Sequence, residues 1–554
     1  MEQVSAVPRE EQSDDHGGRS RWWSLAALAT ALGMIIMDAT IVSVSLPVIV
    51  DDLNLSLDDA QWVTAAYTVV LAALLLTAGR LGDALGRRRM LLVGVVVFVL
   101  GAVLASTARG SGALIGARLV QALGGACVLP GTLSTVNATF RGRDRAAAFG
   151  VWGAVIAGAA AIGPLLGGWL TTSYSWEWIF LVNVPVGARV IVGIVIWGPE
   201  TRDEDSSGID GVGTLLSALG FGTLVFALIE GQQLGWWKPS GDRTVLGLSW
   251  PTDAPISLVP ILFAASAVLL VLFVLWQRHR ARVDRPALLD LSLFRLPTFR
   301  WGNATASTVA VGEFGILFVL PLYLVNVLGL SALRSGVVLA ALALGALFSG
   351  AGARHLAARI GAPAVVVVGL VLEIVGVVCL AVAVGPDTEP ALLGVILVVY
   401  GVGLGLASAQ LTGTTLLDVP PAESGQGSAA QSTVRQLGSA LGSAVVGAIL
   451  AASLATSIPR ALEDVPRLSE ADVQRVTEAT TQSAGSVIAR LRAEGTASPA
   501  GEDNPEIVAA LDEGFADATS ASLRGALVFL VLGLGGSLLL VRAARRSHAG
   551  PRGA

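Results

Sequence analysis

The sequence predicts an all-α polytopic membrane protein, and three observations carry that reading. The 554-residue chain is 53% hydrophobic and 14% charged, where a soluble domain carries about 25% charged residues. Its mean hydropathy is +0.71. Its apolar residues gather in runs that match the ~20 residues a bilayer-crossing helix needs. A single soluble core stops growing near ~250–300 residues, so a soluble globule of this size and apolarity is excluded. Secreted, fibrous and nucleic-acid-binding classes are set aside with it.

Apolar runs of spanning length occur at about 22–50, 60–79, 90–108, 112–136, 147–171, 179–198, 211–230, 257–276, 301–327, 335–353, 363–384, 391–413, 430–455 and 523–541. These fourteen candidates place both termini on one side. The first run follows a polar tail, 1–21, and outlasts the ~7–15 apolar residues of a signal peptide, so it is read as a retained span. Arginines concentrate in alternate loops: Arg80 and Arg87 to Arg89, Arg141 to Arg145, Arg278 to Arg300, Arg354 and Arg359, and Arg542 to Arg552. The positive-inside rule then puts both termini in the cytoplasm. Trp22, Trp23, Trp276 and Trp301 fall at inner boundaries, and Trp62, Trp176, Trp178, Trp236 and Trp237 at outer ones, as interfacial belts require. Cys127 and Cys379 lie in apolar runs, and the four histidines fall in loops, tails or span ends. A disulfide framework and a metal site are therefore not expected.

Two connections are more than turns. Residues 277–300 form a basic connector whose Leu/Phe spacing suggests a short interfacial helix. Residues 456–522 form a long acidic outer loop. Within it Ser469-Glu470-Ala471-Asp472 reads as a helix start. Val473, Val476, Thr480, Ala484, Val487 and Leu491 then mark one helical face. Such a hairpin covers the outer mouth or docks a partner.

The loop after the second run reads Gly79-Arg80-Leu81-Gly82-Asp83-Ala84-Leu85-Gly86-Arg87-Arg88-Arg89. Gly82 and Gly86 permit a tight turn, and Asp83 suits an arginine or a helix N-terminus. Further along come Ala117-Arg118-Leu119-Val120-Gln121-Ala122-Leu123-Gly124, then Gly163-Pro164-Leu165-Leu166-Gly167-Gly168, and before them Met37-Asp38-Ala39-Thr40 to Leu46-Pro47. In that order these segments resemble the signature motifs of the major facilitator superfamily. The Asp38 motif and the fourteen runs resemble its 14-span drug:H⁺ antiporter branch (EmrB/QacA type). Trp176-Glu177-Trp178 to Asn183-Val184-Pro185 and Arg435-Gln436-Leu437-Gly438 also look like that branch. The resemblance implies two six-helix bundles, 22–200 and 301–541 with outer loop 456–522. Two inserted helices lie within 201–276, the connector within 277–300 and a cytoplasmic tail at 542–554. It also implies that Gly79, Asp83, Gly86, Arg87 and Arg88 latch the halves in an outward-open state. Gly163, Pro164, Gly167 and Gly168 correspond to the antiporter motif, where Pro164 bends the helix and the glycines allow close helix contact. Arg354 to Gly361 repeats the loop motif in the second half, with Ala358 where the first copy has Asp83.

A charge at mid-bilayer costs ~2.5–3.5 kcal/mol on insertion scales and needs a reason. At ~1.5 Å per residue, Asp38 lies about 24 Å from the inner boundary and Arg118 about 10 Å from the outer one, so the two reach similar depth. They form either a proton site or a static ion pair between spans 1 and 4. Glu313, near the midplane of span 9, is a candidate substrate or proton carboxylate. Glu373, in span 11, has a cavity or a structural role. Tyr67, Gln121, Tyr323, Asn326, Tyr400 and Gln410 are candidate cavity residues, with helix packing the alternative for each. Arg189 sits mid-span without an evident reason.

The expected function is a proton-coupled antiporter that exports hydrophobic, cationic compounds by alternating access. A dedicated exporter of one metabolite or antibiotic and a membrane sensor acting through the outer loop are the alternatives. No P-loop or nucleophile elbow is present, so an enzyme is not expected. The expected partners are a small hydrophobic substrate, protons and the lipid bilayer, with no cofactor, no metal and no nucleic acid, and the chain acting as a monomer.

Overall fold

A computed structural model describes residues 14–548 apart from 54, 56, 201–209, 242, 246–247, 284, 421–422, 464, 466–467 and 496–503. Its first group of helices is α1 (Asp14–Leu53), α2 (Leu57–Leu85), α3 (Arg87–Ser106), α4 (Ser111–Thr139), α5 (Gly142–Ser173), the single turn α6 (Trp178–Leu181) and α7 (Asn183–Trp197). The pair α8 (Gly211–Leu234) and α9 (Leu258–Arg282) follows. The last group is α10 (Pro297–Asn326), α11 (Ala332–Ile360), α12 (Ala362–Ala383), α13 (Pro390–Thr415), α14 (Ser424–Leu462), α15 (Glu470–Gln482), α16 (Ser486–Glu494) and α17 (Asn504–His548). Thirteen helical segments among the described residues are long and apolar enough to cross a membrane. The remaining expected span, 147–171, lies within α5, a continuous 32-residue helix.

Hydropathy marked the lipid-level part of each helix, and the helices run further. The expected last span at 523–541 is the middle of the 45-residue α17. Its N-terminal extension buries Leu511, Phe515 and Ala518, so the expected outer loop shrinks to the stretch between α14 and α17. That stretch holds two helices where one face had been read. Ser469 caps α15 with the expected capping box, its hydroxyl donating to Asp472 at 2.6 Å. This bond holds the exposed Asp472 carboxyl below its usual range. Gly485, in the left-handed region at φ +90°, breaks the face before α16. Two further departures are local. A small antiparallel hairpin, Arg243–Val245 with Leu248–Trp250, joins α8 to α9. The connector folds as a 3₁₀ turn, Leu291–Arg295, in place of the expected interfacial helix.

The helices form two packed groups. In the first, α1 packs on α5 and α7, and α4 on α2 and α3. In the second, α10 packs on α14 and α17, and α13 on α11 and α12. The groups meet along two seams, α5 with α11 and α2 with α14. The α8–α9 pair leans on the second seam, where Val225 and Leu228 of α8 join Ala72 of α2 and Ala440 and Ala444 of α14.

A hydrogen-bonded chain holds this pair to the rest. Asp210 caps α8 through the Gly213 N–H and accepts from Trp276 Nε1 (2.8 Å) and Gln277 Nε2 (2.9 Å). Burial opposes ionisation of Asp210, but these donors outweigh it and hold the carboxyl below its usual range. Gln277 Oε1 accepts from the Leu288 and Leu289 N–H groups, and the Asp290 N–H donates to Gln426 Oε1 at the start of α14. Both described chain ends lie on one face. Arg21 pairs with Asp144 at the start of α5 (2.7 Å), and Val541 to Arg545 share a cavity with Arg145. Arg21, Arg145 and Arg545 make this the arginine-rich face.

Candidate functional site

Asp38 is fully buried in α1, where an isolated carboxylate would be far too costly. Three side chains from two other helices meet it. Arg118 Nη1 donates to Oδ2 at 2.5 Å, Gln121 Nε2 to Oδ1 at 3.1 Å, and Asn183 Nδ2 to Oδ1 at 2.8 Å. Arg118 and Gln121 stand one turn apart on α4, so a single helix face presents both. Asn183 opens α7. Arg118 is bound in turn. Its Nε donates to the Val63 carbonyl (3.3 Å), its Nη1 also reaches Gln121 Oε1 (2.9 Å), and its guanidinium lies 4.3 Å from the Tyr67 ring centroid. Four helices thus converge on one charge pair.

The second group carries a counterpart. Glu313 of α10 accepts from Arg435 of α14 at 3.1 Å, the carboxylate buried and the arginine side chain 23% exposed. Glu373 of α12 is fully buried, and neither of its oxygens meets a hydrogen-bond partner among the described residues.

At the arginine-rich face the two groups are tied. Asp83, fully buried, holds Arg87 (2.6 Å) and accepts from the Gly425 N–H (3.1 Å) and Gln426 N–H (3.0 Å). The carboxylate therefore caps the positive N-terminus of α14. Asn137 donates to Ser424 Oγ at 2.9 Å. Arg145 Nη2 donates to the Gly413 and Leu416 carbonyls at the end of α13 (3.3 and 2.6 Å), a cation on a negative helix end. Close approach of the seam requires Gly79, where a Cβ would strike Ala429 and the Gly425 carbonyl.

The family model "Major Facilitator Superfamily" matches residues 28–443. The chain belongs to the major facilitator superfamily. Among its relatives, the "Probable actinorhodin transporter" of Streptomyces coelicolor is 33% identical over 76% of this chain and 70% of its own. "Multidrug resistance protein Stp" of Mycobacterium tuberculosis is 32% identical over 75% of this chain and 73% of its own. A bacterial homologue of the human lysosomal transporter Spinster, solved inward-facing and unoccupied, shares the fold at TM-score 0.52 and 19% identity, over 95% of this chain and 98% of its own. Family and relatives are transporters, not enzymes. The major facilitator chain described here is a multi-pass membrane protein.

Within this superfamily fold the expected residues sort unevenly. Asp38, Arg118, Gln121 and Tyr67 come together as one node. Asp83, Arg87 and Gly79 sit at the tie between the halves. Gly86 turns the chain at φ +103°, and Gly361 does the same in the second copy of the motif at φ +86°. Arg88 instead leaves the tie and donates to the Val195 carbonyl within its own half. Gly82 is roomy, the nearest atom to an added Cβ being Arg87 Cγ at 3.8 Å. Gly163 and Gly167 do meet α1, at Thr40 and at Ile41 and Ser45, whereas Gly168 faces open space. The backbone at 164 is helical, and the Pro164 side chain lies outside the described residues.

The Tyr323 hydroxyl donates to the Gly385 carbonyl between α12 and α13 (2.6 Å), and Asn326 donates to the Ala484 carbonyl between α15 and α16 (2.9 Å). Gln410 lines a cavity of about 380 Å³ at the arginine-rich face with Arg145, Phe149 and Gly361. Tyr400 is buried between α12 and α13, where a Cβ at Gly376 would press on it. Asn183 and Arg435 escaped assignment to a site. In the sequence both stand inside apolar runs and entered only through their resemblance to the antiporter branch.

Removing Arg118 leaves Asp38 buried and unpaired, a loss of about 3–5 kcal/mol. Arg118→Ala is expected to lower thermal stability in detergent sharply, and the double variant Arg118→Ala/Asp38→Asn to recover much of it. Equal melting of the single and double variants contradicts the pairing. At the tie, a Cβ at Gly425 would land on the Asp83 carboxylate. Gly425→Ala is expected to cost the two capping bonds, about 1.5–3 kcal/mol each. Spin-label distances between positions 85 and 360 then widen, and an unchanged distance distribution contradicts the cap.

Proposed function

We propose that this transporter is a proton-coupled antiporter that exports hydrophobic, cationic compounds from the cytoplasm, with both termini inside and the arginine-rich face cytoplasmic. It works as a monomer without a cofactor, driven by the proton gradient. The observation that carries the reading is the node at Asp38, the fully buried carboxylate held by Arg118, Gln121 and Asn183.

The tie at Asp83 joins the cytoplasmic ends of the two halves in the state described. A proton arriving from outside neutralises Asp38. Its three donors lose their acceptor charge, and Arg118 keeps only Gln121, the Val63 carbonyl and the Tyr67 face. The contacts among α1, α4 and α7 then re-form in a second arrangement. Helix α1 carries this change to α5 through the close contact at Gly163 and Gly167. At its far end α5 bears Arg145, which grips α13 across the seam. One packed helix thus joins the titrating group to the cytoplasmic tie. The substrate leaves before the switch, and the proton is released inside after it.

The second reading keeps the fold and narrows the cargo to one antibiotic or metabolite. The relative that bears the name of an actinorhodin transporter favours it. Competition among chemically unrelated dyes for one efflux activity counts against it.

In inverted membrane vesicles, Asp38→Asn is expected to reduce proton-driven efflux to background, while substrate-for-substrate counterflow persists because that exchange moves no net proton. Full proton-driven efflux in Asp38→Asn contradicts the reading.

A further inference from the structure

We infer that Glu313, Glu373 and Arg435 form a second proton-exchange site, in the C-terminal half, where two carboxyl groups share one guanidinium and therefore hold one proton between them. This inference rests on the proton-coupled reading above and adds a site to it.

The geometry carries it. Glu313 on α10 and Glu373 on α12 are both buried, 2% and 0% exposed. Arg435 on α14 donates to Glu313 Oε2. Glu313 Oε1, both oxygens of Glu373 and the Tyr400 hydroxyl have no hydrogen-bond partner among the described residues. Glu373 lies within electrostatic reach of Glu313, Arg435 and Tyr400. Helices α13, α17 and α11 pack against α12. α13 brings Tyr400, α11 has charges only at its ends, and α17 carries Arg524, exposed and donating to Ser520, with Asp512 paired to Arg492 and Glu513 and Asp517 exposed.

One arginine therefore faces two carboxyl groups. With both ionised, the cluster is a net anion inside a low-dielectric bundle, and one of the two charges is uncompensated. A single proton restores neutrality. The exchange is a plain proton transfer: the pair takes one proton from water on the outer side and returns it to water on the cytoplasmic side. Its charge swings between neutral and minus one. Arg435, part-exposed on the helix that borders α2 and α4 across the seam, is the member that changes environment when the halves rock. Together with Asp38 the cycle then imports two protons per exported cation.

The test is the proton-to-substrate ratio of the full chain in proteoliposomes, with ethidium as the probe, read from the proton gradient that just balances an ethidium gradient. Wild type is expected to give a ratio of two, and Glu373→Gln and Glu313→Gln each a ratio of one. Glu373→Asp, which keeps the carboxyl, is expected to stay at two. An infrared band of a protonated carboxyl is expected in Asp38→Asn and lost on adding Glu373→Gln, a readout that does not depend on transport. A wild-type ratio of one, ratios unchanged in both glutamine variants, or persistence of that band overturns the second site. Loss of coupling in Asp38→Asn with unchanged ratios in the glutamate variants removes the second site alone. Full proton-driven efflux in Asp38→Asn at an unchanged ratio removes the broader reading.

Discussion

A charge inside a lipid-embedded bundle has to be compensated where it stands, because no water is at hand to do so. The pairing of Asp38 with Arg118 meets that demand, and much of the N-terminal half is arranged around it. α1 supplies the anion, α4 the cation and a supporting amide, α7 a second amide, and α2 a carbonyl and an aromatic face. The pair contributes little net stability against an apolar alternative, since desolvation offsets the attraction. Its retention makes sense for a group whose charge changes.

The same economy shapes the seam. At the arginine-rich face the halves meet through helix termini, whose partial charges are fixed by the backbone. Asp83 sits on the positive end of α14 and Arg145 on the negative end of α13. Contacts of this kind suit the joint that the proposed alternating access requires. The inserted pair α8–α9 is fastened to this region through Asp210, Gln277 and Gln426. Gln426 serves both sides of the joint, with its N–H on Asp83 and its side chain on the connector. The inserted helices thereby brace the α2–α14 seam.

The fold was legible in the sequence because lipid imposes a strong and local rule: a run of ~20 apolar residues is a span. Helix ends were less so, since polar extensions such as the outer turns of α17 are held by packing that hydropathy does not register. At the site, residues that are costly in lipid stood out, and Asp38 and Arg118 met as their depths implied. Neutral polar residues carried no such signal. Asn183 resembled a boundary residue and is a ligand of Asp38. Tyr323 and Asn326 resembled cavity residues, and their side chains hydrogen-bond to the backbone at Gly385 and Ala484. Arg435 was hidden because a positive charge near an inner boundary is ordinary, and only the register of α14 against α10 reveals its partner.

Whether Asp38 exchanges its proton against substrate is the claim on which the rest stands. The most direct measurement is proton release on binding. Ethidium is added to the purified transporter in weakly buffered detergent solution, and the protons liberated per molecule bound are counted. The account expects Asp38→Asn to bind the dye and release one proton fewer than wild type. Equal release from the two proteins would contradict it.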